Sequence, residues 1–334
     1  MTIMTLGIDL AKNVFQLHGV DSQGKVVLRK RLARSKLLEY IAKLLPCRIV
    51  MEACGGANYW ARQFMALGHE VKLISPQFVK PFVKGNKNDY RDAEAITEAD
   101  SRPTMRYVSP KTVEQQDMQS VLRVREGCIQ MRTKVANQLR GLLAEYGFVV
   151  NQGINTIRKA LVDFFDRQKE NGLTPLFKEL LESQYTMLLM LDEQIDGYEI
   201  TIQELAKQHT ICQQVRQVEG IGPITAVALA ALIGKPEDFK NGRHFAAYLG
   251  LVPKQHASGE RDRLLGISKR GDKYVRQLLI HGARAVITKV AKKTDKKSLW
   301  VKDLIARRGF NRACVALANK NARTVMAVLL KKEA

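Results

Sequence analysis

Four carboxylates in the first hundred residues sit where acids are costly unless something holds them. Asp9 ends the apolar run Met4-Thr5-Leu6-Gly7-Ile8, and Glu52 ends Ile49-Val50-Met51, so each closes a strand-like segment. An ionised acid facing a sheet interior must meet a cation or hydrogen-bond donors. If the two strands are parallel neighbours, both acids emerge at one carboxyl edge, where open α/β sheets place their sites. Asp89 and Asp92, near the start of a helix expected over 91–101, are three residues apart and can face the same way. Read alone, Asp89 serves equally as an N-cap and Asp92 as a first-turn acid matched to the helix dipole. Oxygen ligands with no adjacent His or Cys favour Mg²⁺, or Mn²⁺, over zinc. Divalent cations held by carboxylates polarise a scissile phosphate, which is phosphoryl-transfer chemistry on nucleic acid.

A second group of residues lies near the other end of the chain. In Val218-Glu219-Gly220-Ile221-Gly222-Pro223-Ile224-Thr225-Ala226, Gly220 and Gly222 join two helical patterns in the manner of a helix-hairpin-helix. Such a turn either aims backbone N–H groups at a phosphate or is merely a tight helical connection. Lys269, Arg270, Lys273 and Arg276 recur at short, helix-like offsets as a cationic stripe, either solvated or laid on a phosphate backbone. The stretch 249–261 has little periodicity and reads as a loop carrying Ser258-Gly259, in which the serine on its own is a turn residue. Trp300 and Phe310, among further C-terminal Lys and Arg, are available for stacking.

The elements that must position these residues fall into three regions: a catalytic domain over 1–110, a helical coiled-coil region over 111–210 and a basic helical domain over 211–334. Their net charges are +7, −2 and +16. With 334 residues, 46% of them hydrophobic, the chain has ample material for several cores, and its net +21 makes a phosphate polymer the first partner to consider. Residues 2–8, 13–20 and 26–28 read as a three-strand meander. A helix over 36–45 capped by Ser35, a strand ending at Glu52, a helix over 57–67 and the strand Glu70–Ile74 follow, giving a mixed α/β sheet. A seam of Val121, Cys128, Val135 and Leu142 marks a long helix over 112–146. Leu181, Leu188, Ile195 and Ile202 mark a second, at coiled-coil spacing suited to an antiparallel or intermolecular arm for oligomerisation, or else to an ordinary helical bundle packed in the core. Five cysteines, nowhere spaced C-x-x-C, argue against a disulfide framework or a cysteine zinc site. No run approaches the roughly 18 consecutive apolar residues of a spanning helix, and no secretory leader pattern opens the chain. A cytoplasmic protein without a membrane partner is expected.

In this order, Gly7-Ile8-Asp9, Met51-Glu52-Ala53, Asn86-Lys87-Asn88-Asp89-Tyr90-Arg91-Asp92-Ala93 and Ile267-Ser268-Lys269-Arg270-Gly271 resemble the motifs of the DEDD transposases of bacterial insertion sequences, the insertion-sequence one-hundred-and-ten family. The resemblance extends over essentially the whole chain. It implies an N-terminal RNase H fold similar to the Holliday-junction resolvase RuvC, with Asp9, Glu52, Asp89 and Asp92 as the metal-binding set. It also implies that Ser258 is the nucleophile on DNA. A noncoding guide RNA pairing with donor and target DNA, and assembly as a homo-oligomer, dimer or tetramer, are further implied. The chain departs from the family in Cys54-Gly55-Gly56 after Glu52-Ala53, where Thr-Gly is frequent.

Three other readings compete. Gly7-Ile8-Asp9-Leu10-Ala11-Lys12 also opens actin-like sugar kinases, but the second, Asp-Gly-Gly-type phosphate loop is missing. A RuvC-like junction resolvase would use metal-activated water and have no need of Ser258. A non-enzymatic nucleic-acid organiser would gain nothing from clustered acids that repel phosphate. The expected function is an RNA-guided, Mg²⁺-dependent DNA transposase that inserts and excises its own element.

Overall fold

Short, mostly apolar runs such as 6–8, 15–19 and 49–51, buried throughout, build the sheet in the first third of the protein. The computed structural model describes residues 2–83, 89–166, 172–258 and 261–331, apart from the side chains of 89, 166, 258, 261 and 262. The chain divides into two compact units, Met1–Glu114 and Gln115–Ala334.

The first unit contains strands β1 (Thr5–Asp9), β2 (Val14–Val20) and β3 (Val26–Ala33), then helix α1 (Arg34–Ala42), β4 (Arg48–Glu52) and α2 (Ala57–Ala66). The strand β5 (Glu70–Ile74), helices α3 (Pro76–Val79) and α4 (Asp89–Asp100), and the short β6 (Tyr107–Val108) complete it. They build a six-stranded mixed sheet in the order β3-β2-β1-β4-β5-β6, with β1, β4 and β5 parallel and the others antiparallel to their neighbours. This arrangement is compatible with an RNase H-like domain. Leu6, Ile8, Leu17, Ile49 and Met51 bury one face against Leu37 and Ile41 of α1 and Trp60 and Phe64 of α2. On the other face Val50 and Ile74 pack on Ala95, Ile96 and Ala99 of α4. Helix α1 begins one residue before Ser35, its N-cap is Ala33 and no side chain caps it, so Ser35 lies inside the helix.

The second unit begins within α5 (Val113–Glu145), which is followed by α6 (Ile154–Asp166) and α7 (Pro175–Gln208). Helices α5 and α7 run antiparallel. Tyr146, just beyond α5, stacks on Phe177, with ring centroids 3.9 Å apart; Arg132 pairs with Asp192 at 2.9 Å, and Arg125 with Glu199. The seam residues Leu181, Leu188, Ile195 and Ile202 are 0–3% exposed and meet Cys128, Val135 and Leu139, or the core beyond them, within one chain. This apolar pattern is therefore satisfied by the chain's own helices. Thr174 caps α7 by accepting from Phe177 N, with Pro175 at the first helical position.

The remaining elements are α8 (Thr210–Val215), α9 (Pro223–Leu232), α10 (Gly242–Tyr248), strands β7 (Pro253–Ser258) and β8 (Arg261–Ile267), α11 (Lys273–Thr288), α12 (Lys296–Arg308) and α13 (Phe310–Leu330). Helix α9 is buried from Thr225 to Ala231 and forms the centre of a core closed by α11 and α13. The stretch read from sequence as a loop contains an antiparallel hairpin, β7–β8, paired from Pro253↔Ile267 to Ser258↔Arg261. Among the described side chains of its strands none is buried, so the alternation that reveals a half-buried strand does not arise there. Among the described residues all five cysteines are free thiols, and no helix is long and apolar enough to cross a membrane.

Candidate active site and nucleic-acid surface

Strand register brings two of the acids together. Thr5 to Ile8 of β1 pair in parallel with Arg48 to Met51 of β4, so the next residues, Asp9 and Glu52, end adjacent strands at the same edge. Alternation places Asp9 on the face of Gly7, which packs against α4. A methyl group on Gly7 would lie 2.2 Å from Thr97 Oγ1 and 2.7 Å from Ala93 O. Only glycine lets α4 lie this close to β1, and that approach carries Asp92 toward the sheet edge. At its other end α4 is pinned by Asp100, which accepts from Tyr107 Oη at 2.7 Å and faces Arg48 at 3.6 Å. Burial, together with that bond to Asp100, pushes the Tyr107 phenol up to about 12.

The electrostatics follow from this placement. Burial, reinforced by the negative charge of Asp92, holds the Glu52 carboxyl above the usual carboxylate range. Burial and the charges of Glu52 and then Asp9 likewise raise the thiol of Cys54, in the loop where the sequence departs from the family pattern. Asp9, Glu52 and Asp92 thus act on one small region. Asp89 is the first residue of α4, and its side chain lies outside the described residues.

Opposite Asp9 on β2 is Gln16, paired with it in register and therefore on the same face. Gln16 is 5% exposed, and its Oε1 is buried without a hydrogen-bond partner. A buried acceptor left unpaired beside two strand-end acids is a donor set of hard oxygens, the chemistry that suits Mg²⁺ or Mn²⁺. Among the described residues no three His, Cys, Asp or Glu side chains are gathered closely enough to hold an ion. Sequence reasoning missed Gln16 and Gly7, because their roles depend on cross-strand register and helix approach.

The second unit places the other predicted residues at several points. Gly220, at φ +96°, packs its backbone on α11, where a methyl on Gly282 would lie 1.9 Å from Gly220 O; Asn321 Nδ2 donates to Glu219 O at 3.0 Å. Gly222 is exposed and precedes Pro223 at the start of α9. Ser258 ends β7 at the turn end of the hairpin; its side chain lies outside the described residues.

The Ile267–Gly271 motif is a tight backbone knot. Lys269 adopts φ +55°, rare for a residue with a side chain, and its N–H donates to Gly250 O at 3.1 Å. Gly250 and Gly271 allow the two loops to touch: a methyl on either would sit about 2 Å from the facing carbonyl oxygen, Arg270 O or Tyr248 O. Arg276 closes the knot from inside. It is buried, and its Nη1 donates to Leu249 O at 3.0 Å and Arg270 O at 3.2 Å. The cations left facing solvent are Lys269, Arg270 and Lys273, while Arg276 fixes their backbone.

Comparison with known proteins finds two family matches along the chain. Residues 6–148 match the DEDD transposase model of the IS110 group, and residues 212–298 match the transposase IS116/IS110/IS902 family. The chain is 50% identical to the transposase for insertion sequence element IS1111A of Coxiella burnetii, over 99% of this chain and 91% of that one. It is 48% identical to a probable family 20 transposase of Pseudomonas aeruginosa, over 99% and 98%. With the transposase for insertion sequence element IS1328 of Yersinia enterocolitica it shares 40% identity over 98% and 96%. The protein therefore belongs to the IS110 family of DEDD transposases, enzymes that cut and join DNA in transposition.

Proposed function

We propose that the enzyme moves its own insertion sequence by an RNA-guided reaction in which Asp9, Glu52, Asp89 and Asp92 hold Mg²⁺, or Mn²⁺, and Ser258 is the nucleophile. The observation that carries the reading is the parallel pairing of β1 with β4, which ends in Asp9 and Glu52 side by side. The bound cation supplies charge neutralisation at the scissile phosphate. Ser258 Oγ attacks phosphorus, the 3′-oxygen leaves, and the 5′-phosphate stays on the serine while a free 3′-hydroxyl is released. The phosphoserine bond conserves the energy of the broken linkage, so rejoining needs no external energy source.

Donor and target DNA are bound by the basic residues, among them Lys269, Arg270 and Lys273, and the Gly220–Gly222 turn acts as a helix-hairpin-helix that presents backbone N–H groups to phosphate. Residues 1–110 act as a RuvC-like domain, 111–210 as a helical region whose apolar seam is closed within the chain, and 211–334 as the basic transposase domain; protomers associate as a dimer or tetramer through surfaces other than that seam. The protein works in the cytoplasm with a noncoding RNA from its own element. The test is recombination between donor and target plasmids with purified protein, Mg²⁺ and the flanking transcript. Loss of recombination on RNase treatment, and its return when the transcript is added back, is the expected result. Equal recombination without RNA overturns the guide, and strand cleavage confined to branched DNA favours a junction resolvase.

A further inference from the structure

A groove of about 1640 Å³ lies within the second unit, between the β7–β8 hairpin and the faces of α12 and α13. Five cations line it: Arg243, Arg308, Arg312, Lys320 and Arg323, all exposed, and among the described residues no acidic one joins them. Among the described residues none of the four arginines is paired with a carboxylate. Arg307, next in sequence to Arg308, is by contrast held by Asp303 on its own helix, at 2.7 Å. The cations turned toward the groove are the ones left without acids.

The groove walls are built from pinned backbone. The start of α10 abuts α13 so closely that a methyl on Gly242 would lie 2.7 Å from Arg323 O. Asn319 Nδ2 donates to Leu251 O at 3.1 Å, tying α13 to the base of the hairpin, and Lys320 Nζ stands 4.6 Å above the Trp300 ring. The volume exceeds the roughly 300–1,000 Å³ of small-molecule sites, which points to a polymer. Arg312 and Arg323 are eleven residues, about three turns, apart on one face of α13. Their separation of about 16 Å corresponds to roughly five base-pair steps along a B-form duplex axis at about 3.4 Å each.

At the lip of the groove, Leu264 and Leu265 are 70% and 49% exposed. Two adjacent leucines held in water beside a row of unpaired cations have the composition of an apolar wedge, which enters a base step while basic groups hold the flanking backbone. We propose that this groove seats the backbone of double-stranded DNA and that Leu264 and Leu265 press into a base step and unstack it. Neither the four carboxylates nor Ser258 is among the residues that line the groove, and its test reads binding to an intact duplex, so its failure is distinguishable from failure of the reaction proposed above.

The full-length protein is tested on a DNA duplex of arbitrary sequence carrying 2-aminopurine, with affinity read by anisotropy across a salt series. Arg312→Gln with Arg323→Gln should weaken binding and lower the log–log salt slope by about 2, since each phosphate contact contributes about 0.9. Leu264→Ser with Leu265→Ser should leave the slope unchanged and abolish the 2-aminopurine fluorescence rise on binding. Arg307→Gln should change neither. Because all these side chains are exposed, far-UV circular dichroism and Tm should match the parent. If a variant pair unfolds, Arg243→Gln with Arg308→Gln reads the same slope. An unchanged slope in the arginine variants overturns the groove, and a fluorescence rise that survives the serine variants overturns the wedge. Tighter binding of an RNA duplex of the same sequence overturns DNA as the occupant.

Discussion

The two units handle charge in opposite ways. In the first, strand register drives Asp9 and Glu52 to one sheet edge and α4 brings Asp92 within electrostatic reach, so negative charge accumulates where burial penalises it. In the second, one cation of the basic motif, Arg276, is buried with its Nη1 donating to carbonyl oxygens, while Lys269, Arg270 and Lys273 are turned to solvent. An uncompensated acid cluster is completed by a cation, and an uncompensated basic surface by a polyanion. On the reading proposed above, a divalent cation completes the first and DNA the second.

The comparison breaks most readily at the acids. Asp9→Asn or Glu52→Gln should reduce Mg²⁺-dependent cleavage by on the order of 10⁴-fold, the scale of losing a charged member of a catalytic set, while duplex affinity stays unchanged. A stability signature sharpens this test. With the folded Glu52 held above its unfolded pKa, native protein binds more protons, so its contribution falls as pH rises from the unfolded value near 4.3. Metal-free Glu52→Gln should therefore melt above the wild type at pH 7, with the difference vanishing below about pH 4. Equal melting at both pH values would mean that Glu52 is not penalised.

Next in size is Leu188→Asp, which should cost about 3 kcal/mol or more because the seam is buried inside the chain. Its urea midpoint should collapse. Dissociation into smaller, folded particles by light scattering would instead place the seam between protomers. Arg276→Met should cost roughly 1.5–3 kcal/mol from lost charged hydrogen bonds. Lys273→Ala should leave stability within about 0.5 kcal/mol and lower the salt slope of DNA binding by about 0.9. If the two behaved alike, the division between buried and solvent-facing cations would fail. Gly7→Ala, a methyl forced against Thr97 and Ala93, should cost about 1–3 kcal/mol by urea titration and reduce cleavage. An unaffected enzyme would show that α4 can retreat without consequence.

These residues also show what a sequence discloses. Asp9 and Glu52 are legible because an acid closing an apolar strand is unusual, and two such strands in parallel have only one arrangement that places both acids at one edge. The heptads of α5 and α7 are equally plain, but spacing describes an apolar face and not the chain that covers it. Arg276 shares its offsets with Lys273 and Lys269; only packing against the Leu249 and Arg270 carbonyls separates it from them. The β7–β8 hairpin escapes notice because its residues 253–257 and 263–265 are exposed throughout, which removes the alternation on which strand reading relies. Gln16 escapes for the opposite reason, since a buried glutamine has meaning only once its partner across the strand is known.

That hairpin is also the point at which the central claim is most exposed. A two-stranded ribbon is marginal without a face to bury, and Ser258 sits at its end, whereas Asp9 and Glu52 end strands of a six-stranded sheet. The decisive measurement is mass spectrometry of the protein after reaction with a nicked DNA substrate that traps a covalent intermediate. The account predicts a DNA 5′-phosphate on the peptide containing Ser258, present with Mg²⁺ and absent in both Ser258→Ala and Asp9→Asn. Efficient Mg²⁺-dependent cleavage with no adduct, or an adduct that persists in Ser258→Ala, would contradict it.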